Sequence, residues 1–544
     1  MNKYILKIFL PITILLLFNL FQTNTDFIQS STLKKNLISG DFQEIQINID
    51  QLLHKASLVH PVFNEFKNQI KDNLESTLKN WETFLVFTSK NQLILKDQNF
   101  LKINPIYISF VEKISIEIQN LNQNIQEIQN LILNPEYKFQ ENYLINSKLS
   151  ESLDELNSKI FDIQNHLLLI ETLTGIKKKN NLLVLLQNDY EPRATGGFLS
   201  AVLDIEIFKG EVTKLEIKDI YEIDGQLVPD LDSPIEFQNF NKKLFIRDSN
   251  FHPDFHISAS LIDRQIQEAI SKSFDFIASV NLSFLDQMIK EPIDLRYQYT
   301  YLDKVRLKKN INQHISILLN KVLKSPGLLD KSFRNRDLQI TSKDPNLNSL
   351  LKEYNFYHSL NPQITTISKA NVNGYKSFFS QRSTLQIIVD HSKEKVKKTI
   401  KISSSHPYTN QNQIFLESIF KQLGLKDKHD LFSSLKKDIQ NFYRIYLPDS
   451  KQYDISNSEF LIKEENLIAN GENSKIEYSY FPEKKQFDFK EQVEVIGYKH
   501  FKDIQLVVIL PENKSLFSPV FEYKKIKENT YKIPFDSEFI VIDK

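Results

Sequence analysis

The sequence predicts an α+β multidomain chain. Its expected parts are an N-terminal transmembrane helix (1–30), a helical-hairpin, coiled-coil stalk (31–179), an α/β layer domain (180–379) and a β-rich, sandwich-like C-terminal domain (380–544). Three observations lead there. An apolar run opens the chain, heptad-spaced aliphatics fill the region before residue 179, and beyond it short apolar runs alternate first with helical periodicity and then with polar turns.

The first residues place the chain. Lys3 and Lys7 precede or punctuate an apolar stretch from Ile8 to Phe21, interrupted only by Pro11, Thr13 and Asn19. Counted from Tyr4, it has about the ~17–20 residues that a bilayer-spanning helix needs. Positive charge before the run and a polar exit after it predict the N-terminus inside and the bulk outside the cytoplasmic membrane, in a single-pass arrangement. No small-x-small site follows Leu20, so the segment reads as a retained anchor rather than a cleaved signal peptide.

The stalk rests on two seams. Ile114, Ile118, Leu121, Ile125, Ile128 and Ile132 recur in steps of three and four, as do Leu149, Leu153, Leu156, Ile160, Ile163, Leu167 and Ile170. Such seams pack helices together, and the break at Asn134-Pro135 predicts an antiparallel hairpin roughly 30 Å long. A spacer is the plain reading and a partner-binding coiled coil the sharper one.

After Lys177-Lys178-Lys179 the period changes. Asn181 to Gln187 is a continuous apolar run, expected of a central strand buried on both faces. Phe198–Phe208 and Glu211–Ile220 read as strands around a tight Lys209-Gly210 turn. A helix is expected from Ser258 to Ser271, then a strand Asp275–Val280 and a helix Leu282–Lys290 capped by Asn281. Helices are also expected near Ile311–Leu323 and Leu347–Tyr357. Beyond Ser380 the strands expected are Thr384–Asp390, Val396–Ser403, Gln440–Leu447, Lys475–Phe481, Gln492–Tyr498, Ile504–Leu510 and Glu538–Ile542, with a helical insertion Gln411–Leu435.

Composition removes several classes of function. Lys plus Arg and Asp plus Glu balance at 68 each, which argues against nucleic acid as a partner. No cysteine is present, so disulfides, thiolate metal sites and Cys nucleophiles are excluded. No phosphate-binding P-loop, Gly-x-Ser-x-Gly elbow or His-Glu-x-x-His helix occurs.

Three clusters carry candidate chemistry. In Gln187-Asn-Asp-Tyr-Glu-Pro-Arg-Ala-Thr-Gly-Gly-Phe198, Gly196 and Gly197 are two of only eleven glycines. Paired glycines let backbone N–H groups converge on an anion, Arg193 offers a planar fork, and Thr195 lies between them. The plain alternative is a strand-to-strand turn that needs glycine. The second cluster, Ile246-Arg-Asp-Ser-Asn-Phe-His-Pro-Asp-Phe-His256, gathers Arg247, Asp248, His252 and His256 before a helix. A His-His metal site there competes with Asp248 as a helix cap and Arg247 paired to an acid. The third, Lys218-Asp-Ile-Tyr-Glu-Ile-Asp-Gly-Gln226, brings Lys218 and Asp219 to a strand end, where a metal site competes with a solvated acidic loop.

These blocks, together with Ala370-Asn-Val-Asn-Gly-Tyr-Lys-Ser377, closely resemble the ordered blocks of the bacterial domain of unknown function (DUF) 4012 family, and Asn441 to Asp449 looks like its C-terminal β block. The resemblance implies a membrane-attached extracytoplasmic protein. A weaker likeness runs to the LytR-CpsA-Psr phosphotransferases, which move glycopolymers from polyprenyl-pyrophosphate carriers to the cell wall. Asn181–Asp189, Arg193, Val212–Asp219 and Phe274–Asp286 carry it, and it implies a LytR-CpsA-Psr-like fold for the α/β domain. Arg193-Ala-Thr-Gly196 and Ile217-Lys218-Asp219 depart from that family's Arg-Ser-Asp-Thr and Pro-Arg-Asp, losing one acid and one Arg.

The leading expectation is therefore an envelope protein that binds a glycan, polyprenyl lipid or protein partner. Its candidate anion site is Arg193, Thr195, Gly196, Gly197, Lys218, Arg247 and Asp248. The alternative is a phosphotransferase in which Asp189 and Asp219 hold Mg²⁺ while the cations grip a pyrophosphate.

Overall fold

The structure is a computed structural model. It describes residues 167–289, except 235 and 236, and 332–360 continuously; outside these it describes the elements named below and single residues near them. The expected anchor, the Asn134-Pro135 turn, most of the second seam and the helix expected near Ile311–Leu323 lie outside the described residues. No helix among the described residues is long and apolar enough to cross a membrane.

The chain is α+β. Strands β1 (Ile94–Lys96) and β2 (Leu101–Ile103) precede helix α1 (Pro105–Leu133). On α1 the seam residues Ile114, Ile118, Leu121 and Ile125 are buried, as heptad spacing requires. Gln129 Nε2 donates to Asp154 Oδ1 at 3.0 Å, which sets the end of α1 beside residue 154. Residues 167–173 are helical, and their Leu169 and Leu173 belong to the same core as the sheet that follows.

That sheet contains β3 (Asn180–Arg193), β4 (Gly196–Phe208) and β5 (Glu211–Asp219), an antiparallel meander. Helix α2 (Ile220–Asp224), a 3-10 turn (Ile246–Asp248) and helix α3 (Phe255–Ile270) lead to β6 (Phe276–Asn281), which returns parallel to β3. Helix α4 (Leu282–Ile289) follows directly, then β7 (Leu338–Ser342), antiparallel to β6, and helix α5 (Pro345–Glu353). The seven strands lie in the order β1-β2-β5-β4-β3-β6-β7.

Leu182 to Leu186 of β3 are buried without exception, because the central strand is covered on both faces. The two-residue turn between β4 and β5 uses Lys209 and Gly210, both at positive φ, the geometry that matches hairpin twist. The expectation of strands separated by helices holds only after β5. Before it, short turns force antiparallel neighbours, since a parallel pair needs a long crossover.

Several strands were not anticipated. β1 and β2 lie in the segment expected to be a helical stalk, with β2 paired to β5, and Phe460–Leu467, Lys514–Phe517, Lys524–Lys527 and Thr530–Ile533 were missed as well as the two that follow. β7 is a sheet-edge strand buried at all five positions; the segment after α5 runs along it, Ile340 N donating to Phe356 O at 2.8 Å. Strand β8 (Thr365–Asn371) lies before residue 380 yet pairs with later strands.

The remaining strands are β9 (Arg382–Asp390), β10 (Lys397–Ser405), β11 (Ile439–Tyr446), β12 (Phe460–Leu467), β13 (Ser474–Tyr480), β14 (Val493–Ile496), β15 (Asp503–Ile509), β16 (Lys514–Phe517), β17 (Lys524–Lys527), β18 (Thr530–Ile533) and β19 (Ile540–Asp543), with helix α6 (Asn410–Gln422) between β10 and β11. They form a six-stranded sheet β13-β10-β9-β15-β18-β17, a four-stranded sheet β12-β11-β8-β14 and the pair β16-β19. The larger sheets touch through polar side chains, Lys369 Nζ to Ser383 Oγ at 3.0 Å and Ser404 Oγ to Tyr443 Oη at 3.3 Å.

Candidate functional site

The β3–β4 hairpin tip is made almost wholly of polar residues and is buried. β3 bulges between Asn188 and Pro192 before rejoining β4 at the Pro192–Gly197 and Arg193–Gly196 pairs. The bulge carries Asp189 away from the sheet, where its Oδ1 accepts the N–H of Ser283 at 3.0 Å and so caps the start of α4. Asn281, the expected cap, instead sends Nδ2 toward Asp337 Oδ1 at 3.4 Å.

Gly196 and Gly197 allow close approach. Gly196 sits at φ 148°, and a Cβ there would collide with Gln187 Oε1 and Asn281 Oδ1, whereas one on Gly197 would strike the backbone of Asn188. The N–H of Gly197 is given to Gln187 Oε1 at 3.3 Å, so it is not presented to an anion. Thr195 is buried too: its Oγ1 accepts from Gln187 Nε2 at 2.8 Å and Asn250 Nδ2 at 3.1 Å, and its carbonyl accepts from Gln339 Nε2. The glycine turn foreseen as the plain alternative is what these residues make.

Arg193 ends β3 with its side chain only 2% exposed. One terminal nitrogen faces Glu191 Oε1 at 3.1 Å and Asp248 Oδ1 at 3.3 Å, and the other donates to the carbonyls of Pro192 and Asn371. The Phe198 and Phe237 rings lie 5.4 and 5.5 Å from the guanidinium carbon. Arg247 is held as firmly. Its Nη1 donates to Asp224 Oδ2 at 2.8 Å and its Nε lies 3.6 Å from Asp248 Oδ2. With the Asn241 carboxamide oriented to satisfy both its ends, Nη2 donates to that residue's oxygen at 3.2 Å. Burial raises the Asp224 carboxyl above its usual range, against the pull of Arg247 and the N–H of Ile246.

Within this cluster two guanidiniums face three carboxylates, Glu191, Asp224 and Asp248, a formal balance of −1. Lys218 and Asp219 lie apart from it. Lys218 joins Lys214 and Lys272 around the buried Asp204 of β4. Asp219 caps α2 by accepting the N–H of Tyr221 at 2.8 Å. β4 runs between the strands that carry Asp189 and Asp219, and each carboxylate faces a different helix start. Among the described residues no group of three or more His, Asp or Glu side chains is arranged to hold a metal ion.

The two histidines also diverge. His252 Nδ1 accepts the N–H of Asp254 at 3.1 Å, and burial, with Arg444 nearby, lowers its pKa to about 3. His256 Nδ1 meets Thr341 Oγ1 at 2.7 Å. The cap of α3 is Asp254, not Asp248, so the helix begins at Phe255, three residues before the expected Ser258. Asp248 instead lies between the two arginines.

All four sequence blocks converge. Arg193 and Thr195 from the first meet Asp248 and Asn250 from the second, Asp224 from the third holds Arg247, and Asn371 from the fourth accepts Arg193. Glu191, Gln187, Asn250, Asn281, Gln339 and Asn371 complete the cluster and were not singled out from sequence. Gln187, Glu191 and Asn250 lie inside two of the blocks quoted above, which was a usable signal; Gln339 lies on a strand outside every block.

Residues 177–306 match the model of a family described as Protein of unknown function (DUF4012). The match spans β3 to α4 and three of the four blocks, while the block at Asn371 lies beyond it. No curated protein and no solved structure matches the chain.

Proposed function

From the premise that residues 177–306 form a DUF4012 domain, we propose that this is a membrane-held, extracytoplasmic envelope protein that binds a partner rather than transferring phosphate. In this reading residues 1–30 are the anchor, the helical seams are a stalk, and the domain and the β-rich segment present a surface beyond it. One observation carries the choice against transfer. The fork of Arg193 is consumed by Glu191, Asp248 and two carbonyls, and that of Arg247 by Asp224, Asp248 and Asn241. A diphosphate needs forked cations that are open to it and an excess of positive charge around its leaving oxygen. The cluster has a formal excess of one negative charge.

The test is thermal melting of the detergent-solubilised chain with and without a short polyprenyl diphosphate and Mg²⁺. A ligand bound at about a hundred times its Kd adds about 2.7 kcal/mol, which would move the midpoint by several degrees. The expected result is no movement, and a diphosphate-dependent rise would overturn the reading. Orientation is checked separately by adding protease outside intact cells: the bulk of the chain should be cleaved, and full protection would remove the extracytoplasmic placement.

A further inference from the structure

The parallel pair at the centre of the sheet ends in two carboxamides. Gln187 and Asn281 are the last register partners of the β3–β6 ladder. The carboxyl ends of parallel strands are where α/β sheets place their ligand sites. Here the two side chains meet over Gly196. Gln187 Oε1 and Asn281 Oδ1 each lie 2.2 Å from the point that a Gly196 Cβ would occupy, so they are at most twice that distance apart.

Oxygens, not nitrogens, face each other there. Gln187 is oriented by its Nε2, which donates to Thr195 Oγ1 at 2.8 Å, and by the Gly197 N–H, which reaches its Oε1 at 3.3 Å. Asn281 is oriented by the Arg336 carbonyl and the Asp337 carboxylate, two acceptors that each lie 3.4 Å from its Nδ2. Turning Gln187 over would set its NH₂ against an N–H, and turning Asn281 over would set its oxygen against two acceptors. Asn281 Oδ1 makes no hydrogen bond, although the residue is only 7% exposed, and the buried Ser283 Oγ two residues on makes none either. Buried acceptors without a donor are rare and call for an occupant.

Two properties choose that occupant. Facing oxygens repel each other unless something positive joins them, and carbonyl-type oxygens replace the hydration shell of alkali ions. The charge suits one positive ion. Asp189, which caps α4 at Ser283, and Asp337, which faces the Asn281 amide, are both buried, and Arg336 supplies one positive charge against them. The formal balance of these three is −1. A divalent ion takes several carboxylates, and among the described residues no three acidic or imidazole side chains converge.

We propose that Gln187 Oε1 and Asn281 Oδ1 are ligands of a monovalent alkali cation, sodium or potassium, which ties the ends of β3 and β6 to the glycine turn. This goes beyond the binding reading above and does not depend on it.

The experiment is calorimetric titration and thermal melting of the full chain in neutral detergent. The protein is exchanged into choline chloride, then titrated with sodium or potassium chloride at constant ionic strength. One of the two ions should bind once per chain and raise the midpoint along a saturating curve, by several degrees at saturation. Asn281→Ala should abolish both the heat and the rise, with melting in choline chloride as the check that the variant folds. The wild-type titration decides by itself if it does not fold. Equal midpoints in sodium, potassium and choline with no heat of binding would overturn the proposal and leave a water molecule between the oxygens. A response to calcium or magnesium alone, or one that survives in Asn281→Ala, would overturn it as well.

Discussion

Arg193 is a residue whose surroundings decide against its apparent purpose. An arginine between a strand end and two glycines has the makings of an anion grip, yet here it is an internal cross-link joining the β3 bulge, the 3-10 turn and β8. Removing one partner of a buried ion pair costs about 3–5 kcal/mol, since the other is left uncompensated. Arg193→Ala should therefore lower the unfolding free energy by that amount, seen as a sharply lower urea midpoint by circular dichroism. Arg193→Lys should recover only part of it, because a point charge cannot serve two carboxylates and two carbonyls at once. An unchanged midpoint for Arg193→Ala would show the arginine to be dispensable inside. Gly196→Ala should cost about 2–4 kcal/mol in the same assay, combining a disfavoured φ with collision against Gln187 and Asn281. The block was legible in the sequence as special; its role was not. Rarity of Gly and Arg marks a constrained backbone and a valuable cation, but a linear string does not say whether the cation's partners arrive from outside or from residues 55 and 178 positions away.

At the scale of elements, aspartates start the helices. Asp219, Asp254 and Asp344 cap α2, α3 and α5 through their own following N–H groups, whereas Asp189 reaches from β3 to cap α4. Two carboxylates read as a metal pair are thus two helix caps. Asp189→Ala should cost about 1–2 kcal/mol, at the upper end of cap losses because the freed N–H is buried. Asp219→Ala, at the start of a five-residue helix near the surface, should cost less. Neither loss should depend on Mg²⁺, and a metal-dependent difference between wild type and either variant would restore the metal reading. The meander β3–β5, β6 and α3 were legible because short apolar runs, a Lys-Gly turn and helical spacing agree with each other. β8 escaped for a physical reason: it buries Thr366 and Ser368 on one face and Lys369 and Asn371 on the other, so neither face gives an apolar alternation to read.

Across the whole molecule, the segment borders read from sequence are crossed by packing. Leu169 and Leu173 join the sheet core from before residue 179, and Arg444 reaches across the other border, its Nη1 donating to Phe251 O at 3.0 Å. Two buried histidines sit at that second seam. His252 is held down to about 3 by burial and by Arg444, and His358 well below its ordinary value by burial, then by Arg336 and His252; Asp254 is the nearby acid. Both imidazoles are neutral in the folded protein, whereas in the unfolded chain they take up a proton near pH 6.5. Between those limits the unfolded state binds more protons, so stability rises with pH and is lost as pH falls below about 6.5. At pH 5.5, one unit below, each histidine subtracts about 1.4 kcal/mol. The raised carboxyls of Asp224 and Asp254 act in the opposite sense, favouring the folded state as pH falls, and offset part of the loss. His256, also lowered by burial, acts in the same sense as His252 and His358; melting at pH 7.5 and 5.5 should show a lower midpoint at 5.5, and His252→Gln should remove that residue's share of the difference. If the midpoint difference is the same in the variant, His252 titrates alike in both states, and the seam is open enough to hydrate it.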